Sequence, residues 1–295
     1  MELNLPNPGR YVVAVSGGLD STCLLDLMVA RPEYELSVAH FDHGIRQNSK
    51  NDLDFVANLA AQYGLPFLSS NARLGSNASE AEARTRRYRF LRQALNETKS
   101  EAILTGHHQD DRLETLVINL VRGTGRHGVS SIGISSDIKR PLLNVSREEL
   151  KTYAQERALT WREDPTNNDD KYLRNYIRHH IMPRITGSDK ASLVHLMNRQ
   201  SELNQQIDTL AASFIDQNDL SKLNLKPLKL LPFKESRDVV SVWLRLNQLF
   251  NFDRRTLERL TVAAKTKRPG TLINVYGKTS AEVGKDFLAL YNTER

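Results

Sequence analysis

The sequence predicts an α/β fold. A parallel sheet with helices on both faces spans residues 1–187, and a smaller, mainly helical domain with a short β segment spans residues 188–295. Three observations carry this. Over the first ~145 residues, short apolar runs alternate with segments of helical spacing, as in βαβ units. The run Tyr11-Val12-Val13-Ala14-Val15 ends in Ser16-Gly17-Gly18 and a helix follows at once, which sets a loop at the carboxyl end of a strand, where open α/β sheets bind ligands. Past Gly187 the alternation stops, with helical patterns first and strand patterns last.

Taken in order, the strand over residues 11–15 leads into a helix over 20–29, and residues 36–41 read as a second strand. Leu53, Val56, Ala57, Ala60 and Ala61 fall at helical spacing, closed by Gly64. A short strand (66–69), a helix (79–95), a strand (102–105) and a helix (110–121, ending at Gly123) continue the alternation. Ser146-Arg147-Glu148-Glu149 is a capping box that starts a helix through Arg157. Residues 162–170 form a polar loop, and 172–180 a helix punctuated by Pro183 and Gly187. The second domain opens on a long polar helix (191–214) and a linker around 218–232. Helices over 234–249 and 254–267 then lead to strands over 271–276 and 287–291.

Composition narrows the function. The chain has 295 residues, 39% of them hydrophobic and 26% charged, with no apolar run of membrane-spanning length and no signal-like start. These point to a cytoplasmic protein with no membrane partner. The one cysteine, Cys23, excludes intrachain disulfides, CxxC redox pairs and thiolate zinc sites, and its place on the first helix makes it a packing residue. Lys and Arg number 41 against 35 Asp and Glu, a net +6 that permits a polyanionic partner.

Ser16, Gly17, Gly18, Leu19, Asp20 and Ser21 form a phosphate cradle. The glycines let backbone N–H groups approach an anion, and the new helix adds open N–H groups and a partial positive charge. Ser16, Ser21 and Thr22 offer hydroxyl donors. No Lys follows the glycines, so this is not a Walker loop. Further on, Arg84, Arg87 and Tyr88 share one helix face; they read either as a guanidinium clamp for a phosphate or flipped base, or as a face paired to Glu80 or Glu82. Asp111 and Glu114 follow the strand at Ile103 and point one way from the first turn, with His108 beside them. Two acids there can hold Mg²⁺ or an amine, or simply complement the helix dipole. Arg122 ends that helix, Arg140 precedes Pro141-Leu142-Leu143, and Arg174 and Arg178 lie one turn apart. His40 and His43 read as a polar lip of the nucleotide pocket.

Ser16–Ser21 resembles the signature of the PP-loop ATP pyrophosphatases, which cleave ATP between the α and β phosphates. Taken in order, the strings SGGLDS, HFDHGIR, EAEARTRRY, TGHHQDDRLET, RGTG, RPLL, EDPTN and RNYIR resemble the tRNA(Ile)-lysidine synthase family over most of residues 11–185. The resemblance implies ATP and Mg²⁺ as cofactors, with Asp20 as the candidate metal contact. It also implies that the wobble cytidine of a CAU-anticodon isoleucine tRNA is adenylated at its C2 oxygen, and that the ε-amine of free lysine then displaces AMP. Asp111, Glu114 and His108 are the candidates to bind that ammonium and take its proton, with Asp20 at the reacting phosphate. Arg84, Arg87, Arg122, Arg174 and Arg178 are the candidate RNA contacts, the smaller domain assisting them. The tail resembles shorter members, without the additional C-terminal domain of longer ones, and a homodimer is left open.

Two other readings remain. Another PP-loop tRNA-modifying enzyme would have to manage with one cysteine, where thiolases usually need cysteine pairs or an Fe–S cluster. A non-catalytic ATP-binding sensor would leave the acids at Asp111 and Glu114 and the arginines at Arg84 and Arg87 without a purpose.

Overall fold

Val12 and Val13 point to opposite faces of β1 (Gly9–Ala14), and both are fully buried. That one fact requires helices on both sides of the sheet. In this computed structural model, which describes residues 1–42, 44, 49–72, 80–130, 136–163, 170–171, 173–250 and 252–292, the chain divides into two compact units, Met1–Asn198 and Arg199–Arg295. His43, Ile45 and Arg46, Ser79, residues 164–169 and Tyr172, all used in the sequence reading, lie outside the described residues.

In the first unit β1 is the middle strand of a five-stranded parallel sheet. It is joined by β2 (Tyr34–Asp42), β3 (Phe67–Asn71), β4 (Ala102–Thr105) and the two-residue β5 (Ile138–Lys139), in the order β3-β2-β1-β4-β5. The chain builds outward from β1 to β3, then returns to β1's other side for β4. The ends of β1 and β4 therefore flank the topological switch point, where ligands of such sheets bind.

The helices are α1 (Leu19–Val29), α2 (Ser49–Gln62), α3 (Glu80–Glu97), α4 (Gln109–Arg122), α5 (Arg126–Ser130), α6 (Arg147–Glu156) and α7 (Leu173–Tyr176). Helix α1 is apolar almost all round and buried almost throughout. With Val56 of α2 and Leu150 of α6 it covers the face bearing Val13 and Val38. Tyr88, Leu91 and Ala94 of α3 cover the other face, over Val12 and Ile103. Cys23 is fully buried, its thiol pushed up to about 12 chiefly by that burial, as a packing residue should be.

Helix α7 runs into a π-helical turn, Ile177–Ile181, and a short 3₁₀ turn, Met182–Arg184. A small apolar cluster (Leu113, Leu116, Ile177, Met182 and Met197) packs these turns and the start of α8 (Gly187–Ala212) against α4. The division between units falls after Asn198, inside α8, where the sequence reading set it after Gly187.

The second unit holds β6 (Lys222–Asn224), α9 (Leu225–Leu230), α10 (Phe233–Leu246), α11 (Arg254–Thr266), β7 (Thr271–Tyr276), β8 (Thr279–Val283) and β9 (Phe287–Asn292). Its sheet is antiparallel, ordered β6-β9-β8-β7, over a core around Trp243, Leu228, Leu260 and Leu288. The expected linker over 218–232 is thus a strand and a helix, and a third strand, β8, joins the two expected ones. Thr-Ser-Ala-Glu-Val has too little apolar bulk to read as a strand alone; the neighbours β7 and β9 decide it.

Candidate active site

The loop after β1 presents backbone because glycine permits it. Gly17 has φ +90°, the left-handed region that side chains resist. A Cβ there would also meet Phe55 and Val56 at 3.4 Å, so the loop lies against α2. Gly18 stands at the N-cap of α1 with no side chain to cap it, which leaves the helix's first N–H groups for an anion. The carbonyl of Gly17 accepts from Arg162 N at 2.8 Å, and Arg162 pairs with Asp52 at 3.1 Å.

Two of the expected phosphate donors are turned inward. Ser21 Oγ donates to Gly18 O at 3.0 Å, accepts from Ser16 N at 3.1 Å and lies 3.1 Å from Ser16 Oγ. Gly18 N donates back to Ser16 Oγ at 3.3 Å. These hydroxyls brace the loop, so the phosphate contacts left to it are backbone N–H groups. Thr22 Oγ1 is buried and has no partner.

At the end of β4 a residue the sequence reading passed over proves decisive. A Cβ on Gly106 would lie 3.0 Å from Asp20 C and Ser21 N. Only glycine lets this turn press against the start of α1 and bring His108 to Asp20. The signal was a glycine between a strand and a helix, which on its own reads as an ordinary turn.

His108 is 2% exposed and ringed by acids. Its Nε2 lies 3.6 Å from Asp20 Oδ2 and 3.4 Å from Asp111 Oδ2, and its Nδ1 is 3.6 Å from Asp110 Oδ2. Burial opposes the charge, yet Asp110, Asp20 and Asp111 together raise the imidazole to about 10. The surrounding carboxylates thus favour the charged imidazolium over the neutral ring. Asp110 also caps α6, accepting from Arg147 N at 2.9 Å. Asp111 Oδ2 accepts from His108 N at 3.0 Å, so it is a helix cap as well as an acid of the cluster.

His107 faces the other way. Its Nδ1 is 2.8 Å from Thr105 Oγ1, and burial, reinforced by Arg140, Arg87 and Arg84 against the pull of Asp111, lowers it to about 3. A neutral histidine thus stands between an acidic pole (Asp20, Asp110, Asp111) and a basic one.

Glu114 and the arginines of residues 173–181, expected in separate roles, meet each other. Arg178 forks both Glu114 oxygens at 2.6 and 3.0 Å and reaches Asp111 at 3.5 Å. Arg174 Nε lies 3.5 Å from Glu114 Oε2, and its Nη2 donates to Thr115 Oγ1 at 2.9 Å. Glu114 is only 1% exposed; burial raises its pKa even against Arg178. Both Glu114 oxygens are thus taken by Arg178. Arg122 is not part of this network: it is exposed in the last turn of α4, ~16 Å along the helix from Asp111. Arg84 and Arg87 flank the ring of Tyr88, at 4.9 and 5.2 Å. Of the two acids expected on that face, Glu82 pairs with Arg86 at 2.8 Å, and the side chain of Glu80 lies outside the described residues. His40 is buried, with Nδ1 2.9 Å from Val15 O, and so steadies the strand end that enters the loop.

A five-stranded parallel sheet with a glycine loop at its switch point and acids across from it defines a nucleotide-binding α/β enzyme fold. The PP-loop domain family model matches residues 3–185. A tRNA(Ile)-lysidine synthase of Solibacter usitatus is 37% identical over 210 residues, covering 70% of this chain and 48% of that protein. A tRNA(Ile)-lysidine synthase of Hydrogenovibrio crunogenus is 30% identical over 291 residues, covering 89% of this chain and 68% of that one. The chain belongs to the PP-loop family and, within it, to the tRNA(Ile)-lysidine synthases. It spans between about half and two thirds of the length of the curated relatives it matches. Among solved structures, a U34-tRNA thiolase from Methanococcus maripaludis shares the fold: TM-score 0.56, 19% identity, over 67% of this chain and 74% of that one. No helix among the described residues is long and apolar enough to cross a membrane.

Proposed function

We propose that this protein ligates lysine to C2 of the wobble cytidine of a CAU-anticodon isoleucine tRNA, by way of an adenylated tRNA, at the cost of ATP. The observation that carries the reading is the contact of Gly106 with Asp20 and Ser21, which joins a backbone anion cradle to a cluster of three aspartates. Adenylation needs the cradle for the departing pyrophosphate. Lysine, with a pKa near 10.4, reaches the site as a cation and needs the acids.

The N–H groups of Gly17 and Leu19 and the amino end of α1 hold the β and γ phosphates, in a loop shaped by Ser16 and Ser21. Asp20 is the candidate Mg²⁺ contact. Its Oδ1 is buried without a partner, an oxygen fit for a hard cation. When bound, that ion would neutralise charge developing on the leaving pyrophosphate. Asp111 receives the lysine ammonium. His108, whose charged form the aspartates favour, sits between Asp20 and Asp111 and orients them. Glu114 with Arg174 and Arg178 sets the wall beside Asp111. Arg84 and Arg87 meet the RNA at the basic pole, with Arg122 further along α4. The activity belongs in the cytoplasm, with its tRNA substrate.

Pyrophosphate release on addition of CAU-anticodon tRNA and lysine tests the reading. Release that requires both, and that Asp20→Ala abolishes, is the expected result. Release with ATP and tRNA of any anticodon would discard it.

A further inference from the structure

Arg84, Arg87 and Arg140 lie about one buried tyrosine, and among the described residues none of the three is ion-paired to an acid. The guanidinium carbons of Arg84 and Arg87 lie 4.9 and 5.2 Å from the Tyr88 ring centroid. Arg140 follows β5 directly, at the carboxyl edge of the sheet, within electrostatic reach of Tyr88 and Arg84. Asp137, which Arg140 feels, is hydrogen-bonded at 2.6 Å to Arg92. Three polar atoms of the cluster are buried without a hydrogen-bond partner: Arg87 Nε, Arg140 Nε and the hydroxyl of Tyr88. Tyr88 is only 8% exposed, so its hydroxyl has no compensation from water.

Like charges and unsatisfied donors do not collect at one place without cost. The arrangement makes sense if a ligand supplies the missing negative charge and acceptors. A phosphate group fits: its oxygens can take paired guanidinium donors and a phenol O–H at once. Arg84 is exposed and leaves the cluster open to solvent.

We propose that Arg84, Arg87, Arg140 and Tyr88 form a second oxyanion site, separate from the glycine loop, that takes a phosphate group. Arg140 and Tyr88 are thereby given a binding role alongside Arg84 and Arg87. Whether that phosphate belongs to an RNA backbone or to the nucleotide rests on the function proposed above; the anion site itself does not.

Titration of the full chain with inorganic sulfate, followed through the Nε–H signals of its arginines by NMR, tests the site without a substrate. The signals lost in Arg87→Lys and Arg140→Lys should shift together in the wild type with one midpoint, while that of Arg10, paired with Glu35 at the start of β1, stays still. Tyr88→Phe keeps the ring and its packing but should weaken the response several-fold. If the Gly17 and Gly18 amides respond and Arg87 and Arg140 do not, the site is refuted. Two further arms find the source. Should Arg140→Gln weaken tRNA about 10- to 100-fold and lower the log–log salt slope by ~0.7–0.9, with ATP unaffected, the phosphate is the RNA's. A comparable loss of ATP affinity alone assigns it to the nucleotide. No change in either, where the wild type binds both, overturns the site's role. A wild type that answers sulfate but binds neither ligand would defeat the proposed function and leave the anion site standing.

Discussion

The side chain of Glu114 shows how a neighbour redefines a residue. Two acids three apart on a helix look like a cation site, but the bidentate Arg178 makes Glu114 half of a buried pair. Removing one partner of such a pair strands the other charge, so Glu114→Gln should lower stability by on the order of 3 kcal/mol. Urea unfolding of variant and wild type would measure it, and an unchanged midpoint would mean Glu114 is free for ligand after all. Asp111→Asn should instead raise the lysine KM while ATP–pyrophosphate exchange persists, since Asp111 Oδ1 is held only by the longer, 3.5 Å approach of Arg178. Collapse of exchange at normal lysine KM would move Asp111 to the ATP side. The acids themselves were legible in the sequence. Their division of labour was not, because it depends on Arg178 and Arg174, some sixty positions away, arriving on the α7 turn.

Elements meet at two places where one atom matters. Gly106→Ala would force a Cβ to 3.0 Å from the backbone of Asp20 and Ser21, and the backbone cannot swing aside as a side chain could. The expected outcome is a folded protein with ATP affinity reduced at least tenfold; unaltered binding by equilibrium dialysis would show that the two turns can part freely. At the other end of α1, Asp26 is buried and accepts from Tyr153 at 2.5 Å, Tyr63 at 2.7 Å and Arg157 at 3.2 Å, joining α1 to α6 and to the end of α2. Burial opposes its charge, yet these donors hold its carboxyl below the usual range. A depressed carboxylate stabilises the fold above its unfolded pKa near 3.9 and loses that effect as pH falls through the lower folded value. Asp26→Asn should therefore cost on the order of 2 kcal/mol at neutral pH, the gap to wild type closing below about pH 3. A gap of constant size down to acid pH would show that shape, not charge, is what Asp26 provides.

At the scale of the molecule, charge and chain division matter most. Residues 199–295 hold 16 Lys and Arg against 11 Asp and Glu, so this unit carries +5 of the chain's +6. Binding of tRNA should accordingly weaken with salt, by ~0.7–0.9 log units per log unit of salt for each phosphate neutralised. A slope near zero in filter binding would remove the second unit's charge from the account. The division also changes where the protein can be cut. Met197 is buried against α4, and Asn198 Oδ1 accepts from Arg112 at 2.7 Å, so both belong to the first unit. A chain ending at Gly187 should melt well below one ending at Asn198, and only the longer should keep the nucleotide cradle; equal melting temperatures would contradict this.

The sequence by itself determined the parallel sheet, the cradle at its centre and the family. Each of these is local: a strand-Gly-Gly-helix junction or an apolar period shows within a dozen residues. Tertiary structure alone decided that Ser21 braces the loop, that Gly106 couples two loops, that three aspartates ring His108 and that Arg178 answers Glu114. It also made β8 and β6 strands, since short, weakly apolar segments pair only when neighbours offer an edge. The difference has one physical cause. Pairing and protonation are set by charges and donors a few ångströms apart in space, and here those partners are brought together by strand crossovers and helix packing from distant parts of the chain.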